Sequence, residues 1–184
     1  MVDFVGFPKI PRYSRWCICT EKIDGTSGQI FIMPIGESGT AQAILFGSRS
    51  RWITPENDNH GFAAWGTEHA KELFKLGPGH HFGEWWGRGI NRGYGLKEKR
   101  FSLFNLKKWS DPEVRPKCCG VVPTLWVGDF PPPVEEILET LKVNGSTAAP
   151  GFPNPEGIVI YHVQGNILFK KTLKNDEGGK DAGF

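Results

Sequence analysis

Cysteine is scarce in this chain, with only Cys17, Cys19, Cys118 and Cys119 among 184 residues. Neighbouring or next-but-one cysteines make poor disulfide frameworks, and neither pair has the C-x-x-C spacing of a zinc site. Strand alternation instead makes Cys17 and Cys19 small buried side chains on one face, with a metal or redox role at Cys118-Cys119 the minor reading. Charge of one sign is also missing. Lys and Arg number 22 against 20 Asp and Glu, so the formal net charge is +2 and a strongly basic nucleic-acid coat is excluded. Any polynucleotide contact must come from local clusters such as Arg49-Ser50-Arg51, Arg88 to Arg92, Lys97 to Arg100 and Lys170-Lys171, each of which alone reads first as solvated surface. No apolar run is long enough to cross a bilayer, and no signal-peptide pattern opens the chain, so a cytoplasmic setting is expected. Internal repeats and a second-domain pattern are absent too.

What is present is a chain long enough for one domain with a real core. Strand-like segments dominate, at residues 16–23, 28–34, 41–47, 80–86, 100–108, 157–163 and 166–173. The 3.6-residue spacing of Phe62, Ala63, Trp65, Leu73 and Leu76 predicts a helix over 62–76. A second helix is expected over 134–143, after Pro131-Pro132-Pro133 and before Asn144-Gly145. Hairpin signals at Gly36-Glu37-Ser38-Gly39 and Gln164-Gly165-Asn166, with Asp24-Gly25 as a sharp turn between two strands, predict antiparallel neighbours. The fold class is therefore α+β, antiparallel sheets flanked by helices. Residues 110–133 and 144–155, rich in Pro and Gly, read as loops, and residues 175–184 read as a polar tail after a domain spanning 1–174.

The residues with chemical potential lie in strands or at strand ends. Lys22 closes the apolar run Trp16 to Thr20 and precedes a glycine turn, which predicts a site where two buried strands meet and water is scarce. A desolvated ammonium loses its proton more easily, one route to a nucleophilic lysine. Glu84 stands inside the apolar strand Gly83-Glu84-Trp85, and Glu156 stands at the mouth of Gly157 to Ile160. Such carboxylates must be paired, hydrogen-bonded or metal-bound to offset a desolvation penalty of roughly several kcal/mol. The last strand adds Lys170, Lys171 and Lys174. Two carboxylates, a buried lysine and a group of cations suit a site for a nucleoside triphosphate and a metal.

In order, these residues resemble the covalent nucleotidyltransferase superfamily of ATP-dependent ligases and capping enzymes, and most closely small phage-type RNA ligases. Motif I matches Lys22-Ile23-Asp24-Gly25, preceded by the Glu21 typical of the RNA-ligase branch. Motif Ia resembles Phe46 to Arg51, motif III Phe82 to Gly87, motif IIIa Phe101 to Asn105, motif IV Glu156 to Val159, and motif V Leu168 to Lys171. The resemblance spans about residues 20–174 and implies the ATP-grasp-like nucleotidyltransferase fold of ligases. It implies that Lys22 attacks the α-phosphorus of ATP and carries AMP, with Lys170 at the α-phosphate. Nucleotide contacts are implied for Glu21 and Ile23 (backbone at the adenine edge), Asp24, Gly25, Arg49, Glu84 (ribose), Phe104 (adenine stacking), Glu156, Lys170 and Lys171. Glu156 is the implied ligand of Mg2+ or Mn2+. Arg49 and Arg51, joined by Arg88 and Arg92, are implied to approach the phosphates of the polynucleotide.

The expected reaction passes AMP to a 5′-phosphate end, and a 3′-hydroxyl then displaces it. The expected partners are RNA or DNA ends, in a nicked duplex or a single strand, with no membrane. Ser27 departs from the family, which commonly has Arg or Asn there, and Thr172 stands where a second motif V lysine is usual. Because only about ten residues follow motif V, a stand-alone nucleotidyltransferase domain is expected, completed by substrate or by a partner protein supplying a closing domain. A phage-infected host cell is one cytoplasm where such an enzyme would act. The alternatives are an ATP-dependent DNA nick ligase, a GTP-using guanylyltransferase, and a degenerate fold that only binds nucleotide or RNA ends.

Overall fold

The computed structural model describes residues 14–35 and 41–174, together with Phe4, Gly6, Phe7, Lys9 and Ile10. The hairpin signal at 36–39 and the tail at 175–184 lie outside the described residues. Among the described residues, ten strands form two sheets. They are β1 (Trp16–Lys22), β2 (Thr26–Ile35), β3 (Ala41–Gly47), β4 (Trp52–Ile53), β5 (Gly79–Gly87), β6 (Lys99–Leu103), β7 (Cys119–Val121), β8 (Thr124–Asp129), β9 (Gly157–His162) and β10 (Ile167–Thr172). The four-stranded sheet runs β10-β9-β1-β8 and the six-stranded sheet runs β4-β3-β2-β5-β6-β7. All pairs are antiparallel except β6 with β7. The α+β expectation therefore holds.

Each sheet is held by helices on one face. Under the six-stranded sheet lie α1 (Phe62–Glu68) and α2 (Ala70–Leu73), followed by a 3-10 turn over Phe74–Leu76. Both Asp58 carboxylate oxygens accept backbone N–H groups at the start of α1, from Ala63 at 2.8 Å and Ala64 at 2.9 Å, and so satisfy donors the helix cannot satisfy itself. Phe62 packs there with Ile30, Phe46, Trp85 and Phe101. Burying one such ring contributes roughly 1.5–3 kcal/mol. A short α3 (Leu106–Trp109) follows β6. Against the four-stranded sheet, α4 (Val134–Asn144) sets Ile137 and Leu141 on Cys17, Cys19, Ile158 and Ile160. It ends at Gly145, whose φ of 78° continues the chain in the left-handed region.

Three sequence expectations are corrected. Asp24-Gly25 does not close a hairpin: both edges of β1 are taken by β8 and β9, and both edges of β2 by β3 and β5, so Ile23 to Gly25 carries the chain from one sheet to the other. Residues 110–133 are not all loop, because Pro116, Pro123 and Pro131 fall just outside β7 and β8 and leave their ladders intact. The strand expected over 100–108 ends at Leu103, where Asn105 caps α3 by accepting from the Lys108 N–H at 3.1 Å. A third small core of Ile23, Trp86, Tyr94, Val122 and Ala149 joins the two sheets at the crossing. It fixes where Lys22 sits.

Candidate active site

Lys22 lies at the end of β1, paired across the sheet with Gly157, which pairs in turn with Thr172. Its Nζ donates to Glu156 Oε2 at 2.8 Å. A quarter of the lysine side chain and 17% of the glutamate side chain are exposed. Where water was expected to be scarce, the structure places a largely buried ion pair. A carboxylate at this distance fixes the amine by a charge-assisted hydrogen bond. Alternation puts Lys170 on the same face as Lys22 but one row back, opposite Val159, while Lys171 lies opposite Ile158 and points to the other face. Lys170, Lys171 and Lys174 are exposed.

Glu21 has a different role from the lysine beside it. It is 1% exposed, and its carboxylate accepts Ser146 Oγ at 2.6 Å and the N–H groups of Thr147 and Ala148 at 2.8 Å each. The side chain anchors the segment after α4 beneath β1, while its backbone N–H donates to Pro123 O. Ile23, 4% exposed, fills the core at the crossing. The parity Cys17, Cys19, Glu21 was the sequence signal that the glutamate faces inward.

The turn after Lys22 is clamped from the segment that follows β5. Asp24 N–H donates to Tyr94 Oη at 2.7 Å, and Arg92 Nε pairs with Asp24 Oδ2 at 2.9 Å. Asn91 Nδ2 donates to Asp24 Oδ1 at 2.9 Å and to Gly25 O at 2.7 Å. Arg92, expected on a polynucleotide surface, is exposed like Arg88 and also pairs with Asp24 of this turn. Tyr94 is 3% exposed, and burial raises its hydroxyl above the usual range for tyrosine. Gly25 is required by close approach: a Cβ there would stand 2.5 Å from Trp85 O. Nothing in the sequence marked Asn91 or Tyr94.

Glu84 comes from the other sheet. Its Oε1 accepts Gly25 N–H at 3.1 Å, joining β5 to the turn. Burial pushes its carboxyl up to about 7, against the opposing pull of Lys22 and of the Gly25 N–H, and with a further push from Glu156 and Asp24. Phe104 continues the line of β6 past its end, its N–H bonded to Phe82 O at 3.0 Å, and is 44% exposed. Arg49 is exposed on the turn between β3 and β4. Arg51 on the same turn donates to the Asn57 and Asp58 carbonyls at 3.1 and 3.3 Å and so stabilises the turn itself.

The sheet crossing thus gathers Lys22, Asp24, Gly25, Glu84 and Glu156, with Lys170 one row behind and Phe104 opposite Phe82, two residues along β5 from Glu84. Arg49, Lys171, Glu21 and Ile23 stand apart from this group. Among the described residues no group of three or more His, Cys, Asp or Glu forms a metal cage. The oxygen donors at hand are single carboxylates, Glu156 above all, which fits a hard divalent ion that completes its shell with water and substrate phosphates. An exposed ring next to a half-buried carboxyl fits a nucleoside. No helix among the described residues is long and apolar enough to cross a membrane.

The family model described as RNA ligase matches residues 15–174. No curated protein matches the chain. Among solved structures, the fold is similar to the RNA ligase of Naegleria gruberi. An Arg-to-Ala variant of that ligase with ATP and Mn gives a TM-score of 0.61 at 18% identity, over 86% of this chain and 49% of that one. The same ligase with PPi gives 0.60 at 19% identity over 86% and 49%, and a variant with AMP and Mn gives 0.60 at 18% identity over 86% and 49%. The chain spans about half the length of these relatives. At such identities the likeness establishes the fold.

Proposed function

Because the chain belongs to the RNA ligase family, we propose that it is a nucleotidyltransferase of the ATP-dependent ligase type, which loads AMP onto Lys22 and passes it to a polynucleotide 5′-phosphate. The observation that carries this reading is the ion pair of Lys22 with Glu156 at 2.8 Å, facing Glu84 across the crossing between the sheets. Lys22 Nζ, oriented by Glu156, attacks the α-phosphorus of ATP. The paired ammonium first passes one proton to solvent through Glu156; the N–P bond then forms as the bond to pyrophosphate breaks, and the nitrogen loses a second proton to solvent to leave the phosphoramidate N–H. Lys170, on the face of Lys22, offsets charge on the α-phosphate. Glu84 holds a ribose hydroxyl and Phe104 stacks on the adenine. Asp24 and Gly25 keep the turn in register through Tyr94, Asn91 and Arg92.

A bound Mg2+ or Mn2+, held by Glu156, supplies charge neutralisation at the triphosphate. Arg49 and Lys171, outside the sheet crossing, meet phosphates of the incoming strand or of the nucleotide tail. The acceptor is an RNA end, the sealing test below separates it from a DNA end, and a partner protein closing over the site completes the reaction. The cytoplasm, including that of a phage-infected host cell, is the proposed setting.

The test is to incubate the protein with each α-labelled nucleotide and magnesium or manganese, and to look for label that survives denaturing electrophoresis. Label from ATP is expected. Label from GTP alone would replace this reading with a capping-type guanylyltransferase, and no label at neutral or mildly alkaline pH would leave only nucleotide or end binding. Sealing is then measured on nicked RNA, nicked DNA and RNA–DNA hybrids, since loading does not reveal the acceptor.

A further inference from the structure

The six-stranded sheet buries one face on α1 and α2 and leaves much of the other open. Alternation sends Ile30, Ile32, Phe46, Ile53, Trp85, Phe101 and Leu103 into the core. The residues between them, Phe31, Leu45, Trp52, His80, Phe82 and Phe104, therefore share the opposite face. Phe82 and Trp52 are 53% and 51% exposed, with Leu45 and Phe104 at 43% and 44%. An exposed, largely aromatic face of this kind, with Gln29 between Phe82 and Gly47 and bonded to His80, marks an interaction site.

The rings form an ordered row. Phe31 stacks on His80 with centroids 4.2 Å apart, and His80 lies nearly parallel to Phe82, 7° between planes at 6.0 Å. Trp52 lies over Gly47, where an added Cβ would be 3.2 Å from the indole, and its ring is 6.2 Å from Phe31. At the other end Phe104 sits beside Phe82 across the strand boundary, and two residues along β5 on the same face is Glu84. Four strand spacings separate Phe104 from Trp52, roughly 19 Å. That length accommodates about five stacked nucleotides. The strands present no carboxylate on this face other than Glu84, and exposed Arg49 stands at the Trp52 end.

We propose that this open face, from Phe104 to Trp52, is a stacking platform for the bases of a single-stranded segment of the polynucleotide that is activated at Lys22. The inference rests on the ligase reading above and adds to it where the strand runs. Rings that lie near parallel from Phe31 through His80 to Phe82, exposed at His80, Phe82 and Trp52 and with Glu84 at one end as the one carboxylate on these strands' face, suit nucleobases, since every base offers a π-face and a negative backbone tolerates no carboxylate row. The end of the platform at Phe104 also makes it continuous with the nucleotide site, so a stacked strand would deliver its end there.

The test is fluorescence anisotropy of a labelled, unstructured, 5′-phosphorylated RNA oligonucleotide, with AMP loading measured on the same preparations. Phe82→Ala combined with Trp52→Ala is expected to weaken binding at least about tenfold, while Phe82→Tyr with Trp52→Phe stays within about twofold, and both keep wild-type loading. Wild-type affinity in the alanine pair, or no binding by the unmodified protein, would overturn the platform. So would a sedimentation dimer that the alanine pair splits without changing RNA affinity, because the face would then join two copies. Absence of loading in the unmodified protein counts against the ligase reading alone, and the platform is still decided by the anisotropy.

Discussion

Glu21 and Glu84 lie on the two sides of the sheet crossing, and in the sequence they look alike, each a carboxylate set in an apolar strand. The structure separates them. Glu21, on the four-stranded sheet, is 1% exposed and surrounded by three donors from the segment after α4. Glu84, on the six-stranded sheet, accepts one N–H and is pushed up to about 7 by burial. A carboxylate with its lone pairs filled by the fold holds structure, whereas one with most of its bonding capacity unspent, beside a lysine at the sheet crossing, is available to a ligand. Depth of burial alone would have ranked them the wrong way round.

That contrast can be broken by substitution. Glu21→Ala should cost about 3 kcal/mol or more, since it strands three donors that the fold aims at one charge, and urea unfolding measures it. A loss below about 1 kcal/mol would mean that Glu21 is not an anchor. Tyr94→Phe comes next, at about 1–2 kcal/mol, because it leaves the part-buried Asp24 N–H without its acceptor. Arg92→Ala removes an ion pair whose side chains are 31% and 26% exposed, so its stability cost stays below about 1 kcal/mol. Its loading rate is nevertheless expected to fall, because Asp24 loses one of its two side-chain partners beside Lys22.

Glu84→Gln is expected to change stability least, within about 0.5 kcal/mol at pH 5, and to alter pH dependence most. The folded carboxyl titrates at about 7, above its ordinary value of 4.5, so between those values the native state holds a proton that the unfolded chain releases. Its contribution to stability is full below about 4.5 and is lost as pH rises through about 7. Urea midpoints at pH 5 and pH 8 should show the wild type losing more stability than Glu84→Gln over that interval. The same substitution should weaken the ATP dependence of loading about tenfold, the scale of one lost hydrogen bond to a charged group. Equal pH slopes, or unchanged ATP dependence, would remove Glu84 from the nucleotide site.

Much of this was legible along the chain, for local reasons. Period-2 alternation exposes β1, β2, β5 and β9, and the proline run followed by Asn144-Gly145 brackets α4. The motifs place Lys22, Glu84, Phe104, Glu156 and Lys170 in order, and the fold brings Lys22, Glu84 and Glu156 to the sheet crossing, with Phe104 opposite Phe82 and Lys170 a row behind. What stayed hidden depends on tertiary placement. A turn signal at Asp24-Gly25 does not say which sheet the next strand joins, and prolines flanking β7 and β8 look the same as prolines within a loop. Tyr94, Asn91 and Arg92 meet Asp24 only because β5 returns the chain to the crossing. The aromatic row from Trp52 to Phe104 is written in four separate segments, and only the strand registers assemble it.

The central claim is that Lys22 carries the nucleotide, and the most direct measurement is mass mapping of peptides after incubation with ATP and a divalent metal. One AMP on the peptide containing Lys22, and none anywhere in Lys22→Ala, is the predicted result. AMP on another residue, or an adduct that persists in Lys22→Ala, would contradict it.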